Sequence, residues 1–380
     1  MTGASPTIGV GMLGYGFMGR AHAHAYRSLS HVAWPCPLRP ELIAIAGRSA
    51  NQVAEAGRRF GFAGSTTDWE EIVADDRVTL FDNCGPNAVH SAATIAAAQA
   101  GQHVICEKPL ARDADESYTT WQRVDAAGVK HMCAFNYRFV PAIRLAWQLI
   151  RDGELGEIHH FRARYLQSWG LDSDGMSWRF DADQAGSGAL GDLGSHMIDL
   201  ARYLVGEITS VSAVTQTFLH RRAGRSVDVD DAFQTAVEFA NGATGTIEAS
   251  RFCPGRLNQL VLEINGSRGS LEFDLERLNE LKLSLAGTPH SGFQTINVTQ
   301  PGDPFMEFWW PAGHIIGWEH TFVHELNHLL TAIHDDGTIG PHGADLQDGY
   351  RAAEVCDAIL RSANAGARAM ITYRAAPAVR

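Results

Sequence analysis

The chain has 380 residues, 45% hydrophobic and 19% charged, with a formal net charge of −12; this is the length of two domains and the composition of an ordinary globular protein. The acidic balance excludes a protein that grips the nucleic-acid phosphate backbone through surplus Lys and Arg, and no apolar run approaches the roughly 18 residues of a membrane-spanning helix. The opening MTGASPTIGVGMLG has no basic stretch before its apolar run, and the six cysteines are scattered without a C-x-x-C, so a cytoplasmic protein with reduced thiols is expected.

The apolar run TIGVGML (7–13) predicts a buried strand. Gly14-Tyr15-Gly16-Phe17-Met18-Gly19 follows and opens a helical stretch over about 17–30. A G-x-G-x-x-G between strand and helix suits a dinucleotide. Gly14 allows the tight turn, Gly16 lets the backbone approach a pyrophosphate, and Gly19 lets helix pack on strand. The Pro-rich stretch 31–41 reads as a loop, LIAIAG (42–47) as a second strand, and 49–61 as a helix with Ser49 as N-cap and Gly61 as stop. Strand and helix then alternate: VTLFDNC (78–84), an Ala-rich helix from 88, HVICEKP (103–109), a helix over 113–127, and KHMCAFN (130–136). Such alternation implies a doubly wound parallel Rossmann sheet, with ligands beyond the carboxyl ends of its strands. Gly85, Pro86, Asn87 and His90, then Glu107, Lys108 and Pro109, then Asn136 to Arg138, are expected to face one crevice.

After residue 140 the pattern changes. PAIRLAWQLIRDG is a helix, and strands dominate from 157 to 275, with Asn241-Gly242 and Asn265-Gly266 read as hairpin turns. Helices return at about 318–335 and 344–363. The expected division is a dinucleotide-binding domain over 1–137 and an α+β domain over 138–380. The second domain carries a largely antiparallel open sheet whose outer face suits a partner subunit, in a homo-oligomer of two or four chains.

Three places carry reactive side chains. In GSGALGDLGSHMIDLARYLVGE (186–207), Asp192 and His196 are four apart on one helical face with Asp199 nearby; a solvated surface pair would look the same. Gly186, Gly188 and Gly191 before them let a backbone or a ligand come close. Lys108 ends a strand above the crevice, where its charge suits an oxygen beside a nicotinamide, or else a strand-end salt bridge. Finally, HELNHLLTAIH (324–334) fits the H-E-x-x-H of zinc hydrolases, with His324 and His328 as ligands and Glu325 as base. Yet Thr331 stands where the extended motif needs Gly, and a continuing helix turns His334 away. No metal is expected, and a zinc hydrolase is the remote alternative.

Taken in order, YGFMG, GPNAVH, CEKPLA, FNYRFVPA and GDLGSHMIDL resemble the Gfo/Idh/MocA family of sugar and inositol oxidoreductases. The resemblance implies that Lys108, Asp192 and His196 form the catalytic group, that Asn136 lies near the nicotinamide ribose, and that the Lys108–Pro109 bond is cis. It places the cofactor on Gly14, Tyr15, Gly16, Phe17, Met18, Arg48, Ser49, Gly85, Pro86, Asn87, His90, Glu107, Lys108, Asn136, Trp178 and Arg179. YLQSW, SWRF, AGSGALGD and ARYLVGE look most like family members that oxidise C3 of a pyranose, of the levoglucosan dehydrogenase type. The substrate is then a small carbohydrate, held by Lys108, Tyr137, Gln167, Trp169, Arg179, Asp192 and His196. Trp169 and Trp178 suit a sugar face, though both also suit a core. An inositol or an aminoglycoside-pathway sugar is the alternative substrate. For the cofactor, LIAIAG ends in Gly47, Arg48 and Ser49 without the acid that usually holds the NAD ribose. Local chemistry therefore permits NADP, while the resemblance implies NAD, and NAD is the expectation.

Overall fold

The computed structural model describes residues 5–287 and 291–375. The apolar runs of the first third pair side by side as six parallel strands, β1 (Thr7–Leu13), β2 (Arg39–Ala46), β3 (Gly64–Thr66), β4 (Leu80–Asn83), β5 (His103–Glu107) and β6 (His131–Ala134). Their order is β3-β2-β1-β4-β5-β6, a doubly wound sheet whose direction of growth reverses between β1 and β4, and a crevice opens there. Helices α1 (Phe17–Val32), α2 (Ala50–Phe60), α3 (Trp69–Val73), α4 (Asn87–Gln99) and α5 (Ala114–Asp125) connect the strands. The expected loop 31–41 is shorter than the sequence suggested, because β2 begins at Arg39 and pairs Pro40 with Ile8. β3 and α3 were not foreseen, since three and five residues carry no readable periodicity. Ser49 occupies the N-cap of α2 without a side-chain hydrogen bond, and Gly61 stops that helix at a φ of 90°.

The rest of the chain builds a mixed sheet of nine strands. It contains α6 (Pro141–Arg151), β7 (Ile158–Leu166), α7 (Ala182–Ala185), α8 (Ser195–Leu204), β8 (Ile208–Gln216) and a two-residue ladder of β9 (Arg221–Arg222) with β10 (Arg225–Ser226). Then come β11 (Ala232–Phe239), β12 (Thr244–Ser250), β13 (Gln259–Gly266), β14 (Gly269–Asp274), β15 (Glu280–Leu285), β16 (Gln294–Asn297), α9 (His320–His334), α10 (Leu346–Ala365) and β17 (Ala369–Met370). The order β16-β15-β14-β13-β7-β12-β11-β8-β17 is antiparallel except where β7 meets β12. Phe161, Ala163 and Tyr165 point into the core while Arg162 and Arg164 point out, the alternation of a half-buried sheet. One expected turn moves: Asn265 and Gly266 still belong to β13, and Ser267-Arg268 make the bend.

The last helices return to the first sheet. Phe322, Val323, Leu326 and Leu330 of α9 share a core with Val10 of β1 and Tyr26 and Leu29 of α1, and on α10 the Tyr350 ring stacks on Trp121 of α5 at 5.7 Å. Leu326 is fully buried, so truncation to Ala costs about 2–5 kcal/mol.

Candidate active site

At the carboxyl ends of the parallel strands, between the two sheets, lies a cavity of about 970 Å³. Its first end is the glycine-rich turn. Gly14 has a φ of 103°, and a Cβ there would strike the Cys84 carbonyl at 2.3 Å. A Cβ on Gly16 would meet nothing within 4 Å, so the space beside it is open to a ligand. Helix α1 starts at this turn with no side-chain cap and no acidic residue in its first turn. Its free N–H groups and dipole suit a pyrophosphate. The residues present thus fit a dinucleotide. At the end of β2, Tyr15 lies across Gly47, where a Cβ would meet the ring at 2.1 Å, and Arg48 lines the cavity without an acid beside it. Ser49, expected here, does not line the cavity; it sits beyond Arg48 at the start of α2. The other expected cofactor residues all line it. His90 spans two loops, its ring nitrogens 2.8 Å from the Pro109 carbonyl and 2.9 Å from that of Gly85.

At the inner end stand Lys108, Asp192 and His196. The Lys108–Pro109 bond is cis. Lys108 Nζ donates to the Asp192 carbonyl at 2.8 Å and to its carboxylate at 3.5 Å. Two guanidinium groups share that carboxylate: buried Arg251 at 3.3 Å and Arg179 at 3.8 Å. Burial alone would raise the Asp192 carboxyl, but Lys108, Arg251 and Arg179 hold it well below the usual carboxylate range. His196 is buried against Tyr137 at 4.5 Å between ring centres, and Nδ1 has no hydrogen-bond partner. Burial, and then the neighbouring Lys108, push its pKa well below the ordinary histidine value. The ring is therefore neutral at neutral pH and able to accept a proton. Asp192 and His196, four apart on one expected helical face, make no hydrogen bond to each other. The Asp192 carboxylate, on the π-turn Leu190–Gly194, is taken instead by Lys108, Arg251 and Arg179. Gly186 and Gly188 admit protein backbone, and Gly191 admits the Ser187 side chain, rather than a ligand; a Cβ on Gly188 would strike the Asp230 carbonyl at 1.7 Å.

A continuous hydrogen-bonded wall runs beside this group. Trp169 Nε1 donates to Gln167 Oε1 at 2.6 Å, Gln167 Nε2 donates to Asn258 Oδ1 at 2.6 Å, and Tyr165 donates to the same oxygen at 2.7 Å. Tyr165 and Tyr137 hydroxyls meet at 2.9 Å. Trp169 and Trp178 both line the cavity, so neither is a core residue. Arg251, Asn258, Tyr165 and Trp318 were missed in the sequence. Tyr165 and Arg251 had a signal, lying on or just past strands that run to the cavity; Asn258 and Trp318 lie in irregular segments and had none. Trp318 stacks on Phe17 at 5.2 Å and links the last third of the chain to the glycine-rich turn.

Two expected neighbours are elsewhere. Arg138 turns from the crevice because Asp199 and Asp348 take its guanidinium at 2.5 and 3.0 Å. The H-E-x-x-H residues are also engaged. His324 Nε2 accepts from the Trp309 indole at 2.6 Å and Nδ1 donates to the Phe139 carbonyl at 2.9 Å, while His328 Nε2 donates to the Ile339 carbonyl at 2.8 Å. A zinc ion on His324 would have to displace the Trp309 indole from Nε2, because Nδ1 is spent on the Phe139 carbonyl.

Comparison with known proteins fits this geometry. The model of the oxidoreductase family with an NAD-binding Rossmann fold matches residues 8–135, and that of the GFO/IDH/MocA C-terminal domain matches 143–272. The chain is 42% identical over 378 residues to levoglucosan dehydrogenase of Pseudarthrobacter phenanthrenivorans, covering 94% of this chain and 96% of that protein. A levoglucosan dehydrogenase structure in complex with NADH and levoglucosan superposes with a TM-score of 0.94 at 42% identity, over 97% of this chain and 100% of that one. An NAD-binding oxidoreductase of Klebsiella pneumoniae, 34% identical, superposes with a TM-score of 0.90 over 97% of this chain and 100% of its own.

Proposed function

The chain belongs to the GFO/IDH/MocA family of oxidoreductases, and from that membership we propose that it oxidises a secondary hydroxyl of a pyranose sugar, C3 of a levoglucosan-like ring, to the ketone with NAD. One observation carries the reading: Lys108, Asp192 and His196 share a cavity with a glycine-rich turn fit for a dinucleotide. NAD, when bound, accepts the hydride that leaves the carbinol carbon with both bonding electrons. His196 takes the hydroxyl proton, for which its neutral ring is suited. Lys108 donates a hydrogen bond to the same oxygen and stabilises its developing negative charge. Asp192 holds Lys108 in place and balances the two guanidinium groups. Trp169 offers a face to the sugar ring, while Gln167 and Arg179 meet its hydroxyls and Tyr137 backs His196. Asn136, held by Thr321 at 2.9 Å, stands on the ribose side with Trp178.

The test is turnover of levoglucosan, pyranosides and inositols by the purified chain, followed by nicotinamide absorbance. Oxidation of a pyranose at C3, identified by NMR of the product, is expected; turnover of inositols alone would replace this substrate class.

We also propose that residues 1–137 serve the cofactor and 138–380 the substrate and assembly, and that the chain is a homo-oligomer of two or four. The outer face of the nine-stranded sheet supports assembly: Arg162 and Arg164 stand among Glu248, Glu263 and Glu272, a pattern a second copy can complement. Light scattering that gives a monomer mass would remove it. Six unpaired cysteines suit the cytoplasm, and among the described residues no helix is long and apolar enough to cross a membrane.

A further inference from the structure

Helix α1 buries a histidine completely at His22. Its Nδ1 lies 2.9 and 3.1 Å from the two carboxylate oxygens of Asp82, in β4, and its Nε2 lies 3.1 Å from Glu107 Oε1, at the end of β5. A neutral imidazole has one N–H and cannot donate to both acids. Each acid is an acceptor elsewhere as well. The Cys84 thiol donates to Asp82 at 3.2 Å, and Glu107 Oε2 accepts the main-chain N–H of Lys108 at 3.0 Å.

We infer that His22 is a positioning residue, kept as a doubly protonated imidazolium that ties β4 to β5 and, through Glu107, fixes the main chain at Lys108. Every packed element contributes to its surroundings. α1 supplies the Tyr26 hydroxyl, β4 supplies Asp82 and Cys84, β5 supplies Glu107, and α9 supplies Glu325 and the Phe322 ring at 5.4 Å. Glu325, the acid of the zinc-like motif, is fully buried with neither oxygen hydrogen-bonded, and burial raises its carboxyl well above the usual range. Its neutral form is favoured there, so it competes less than Asp82 and Glu107 for the His22 proton. Burial disfavours the His22 cation, but the carboxylate of Asp82 outweighs it and raises the pKa well above the ordinary value. His22, Asp82 and Cys84 also offer ligand atoms within 4.8 Å of one another. At 2.9 Å, however, Nδ1 and Asp82 Oδ2 share a hydrogen bond, and a metal would have to displace the ring proton that makes it.

That the clamp serves Lys108 rests on the proposed oxidation; that it is charged does not, and the two are tested apart. In histidine-¹⁵N-labelled full-length protein, one side chain, assigned by its loss in His22→Gln, is expected to carry a proton on both ring nitrogens unchanged from pH 6 to about 9, beyond the ordinary range near 6.5. A bare ring nitrogen, a titration within that window, or stoichiometric metal by elemental analysis would overturn the charge assignment. In His22→Gln, kcat for the sugar the wild type oxidises is expected to fall about a hundredfold, as for a misplaced catalytic group, with KM and NADH affinity kept within about threefold. The double variant with Glu107→Gln is expected to be no worse than the weaker single one. Unchanged kcat, or kcat and NADH affinity falling together, would overturn the positioning role. If His22→Gln does not fold, Glu107→Gln is read for the same kcat-against-affinity split, and the resonance is assigned through its contact with the Phe322 ring. A wild type that oxidises no sugar would remove the proposed reaction and leave the nitrogen spectrum to decide the clamp.

Discussion

The ammonium nitrogen of Lys108 lies 2.8 Å from the main-chain carbonyl oxygen of Asp192, a bond between the end of the first sheet and the π-turn of the second half. It fixes the cation over the cavity and, with the longer bond to the Asp192 carboxylate, leaves a third N–H for substrate. Lys108→Met is expected to lower kcat by about a hundredfold to a thousandfold, roughly 3–4 kcal/mol of transition-state stabilisation. Binding of NADH, measured by fluorescence, should stay within about threefold. A kcat within threefold of wild type would show that the cation is structural.

His196 is expected to act as base with its pKa held low by burial and by Lys108. A base works when deprotonated, so activity should stay level as pH falls through the ordinary histidine value and decline only at lower pH. His196→Asn should lose about a hundredfold or more. A wild-type acid limb centred above about 6.5 would exclude His196 as the group it reports.

His324 gives a stability test. Burial depresses its pKa to about 3 in the folded chain. Below about 6.5 the unfolded chain binds a proton there that the folded chain refuses, so acid favours unfolding, by up to about 1.4 kcal/mol per pH unit. His324→Gln removes this term. The stability deficit of that variant in urea is expected to shrink by about 2 kcal/mol between pH 6.5 and 5. A deficit independent of pH would show that His324 titrates normally.

Arg48 stands where a dinucleotide's ribose edge is read, with no acid at the end of β2. Arg48→Asp is expected to lower kcat/KM with NADP at least about tenfold relative to NAD, because a carboxylate repels the 2′-phosphate. Gly47→Asp should instead weaken both cofactors, since Tyr15 fills the space its side chain needs. Equal effects of Arg48→Asp on both cofactors would place that residue away from the ribose.

Both ring nitrogens of His324 and Nε2 of His328 are hydrogen-bonded within the protein. Prolonged chelation is expected to leave turnover and melting temperature unchanged. Loss of activity restored by zinc would mean that the Trp309–His324 bond yields to a metal.

The sequence was legible where a period or a motif repeats. β1, α1 and the turn between them were foreseen almost to the residue, because the apolar run and the glycine spacing agree. The placement of Lys108, Asp192 and His196 was legible from motif resemblance. Their geometry was not: helical spacing does not reveal that Lys108, Arg251 and Arg179 take the Asp192 carboxylate in place of His196. Asn258 and Trp318 stayed invisible because each reaches the cavity from an irregular segment, and only tertiary packing decides where such a segment lies. HELNH was ambiguous for a related reason. A helix face rich in His and Glu looks alike in sequence whether its side chains meet a metal or an indole and two carbonyl oxygens.

The docking of α9 against α1 also has a consequence in time. During synthesis Leu29 leaves the ribosome about 290 residues before Phe322, an interval of roughly 15–60 s at typical elongation rates. For that interval the apolar flank of α1 that awaits Phe322, Leu326 and Leu330 faces water in the nascent chain. The nucleotide-binding half is thus the first to be made and among the last to be sealed. A chain cut before α9 should expose that flank, bind a chaperone that recognises apolar surface and aggregate when released, whereas the full chain does neither.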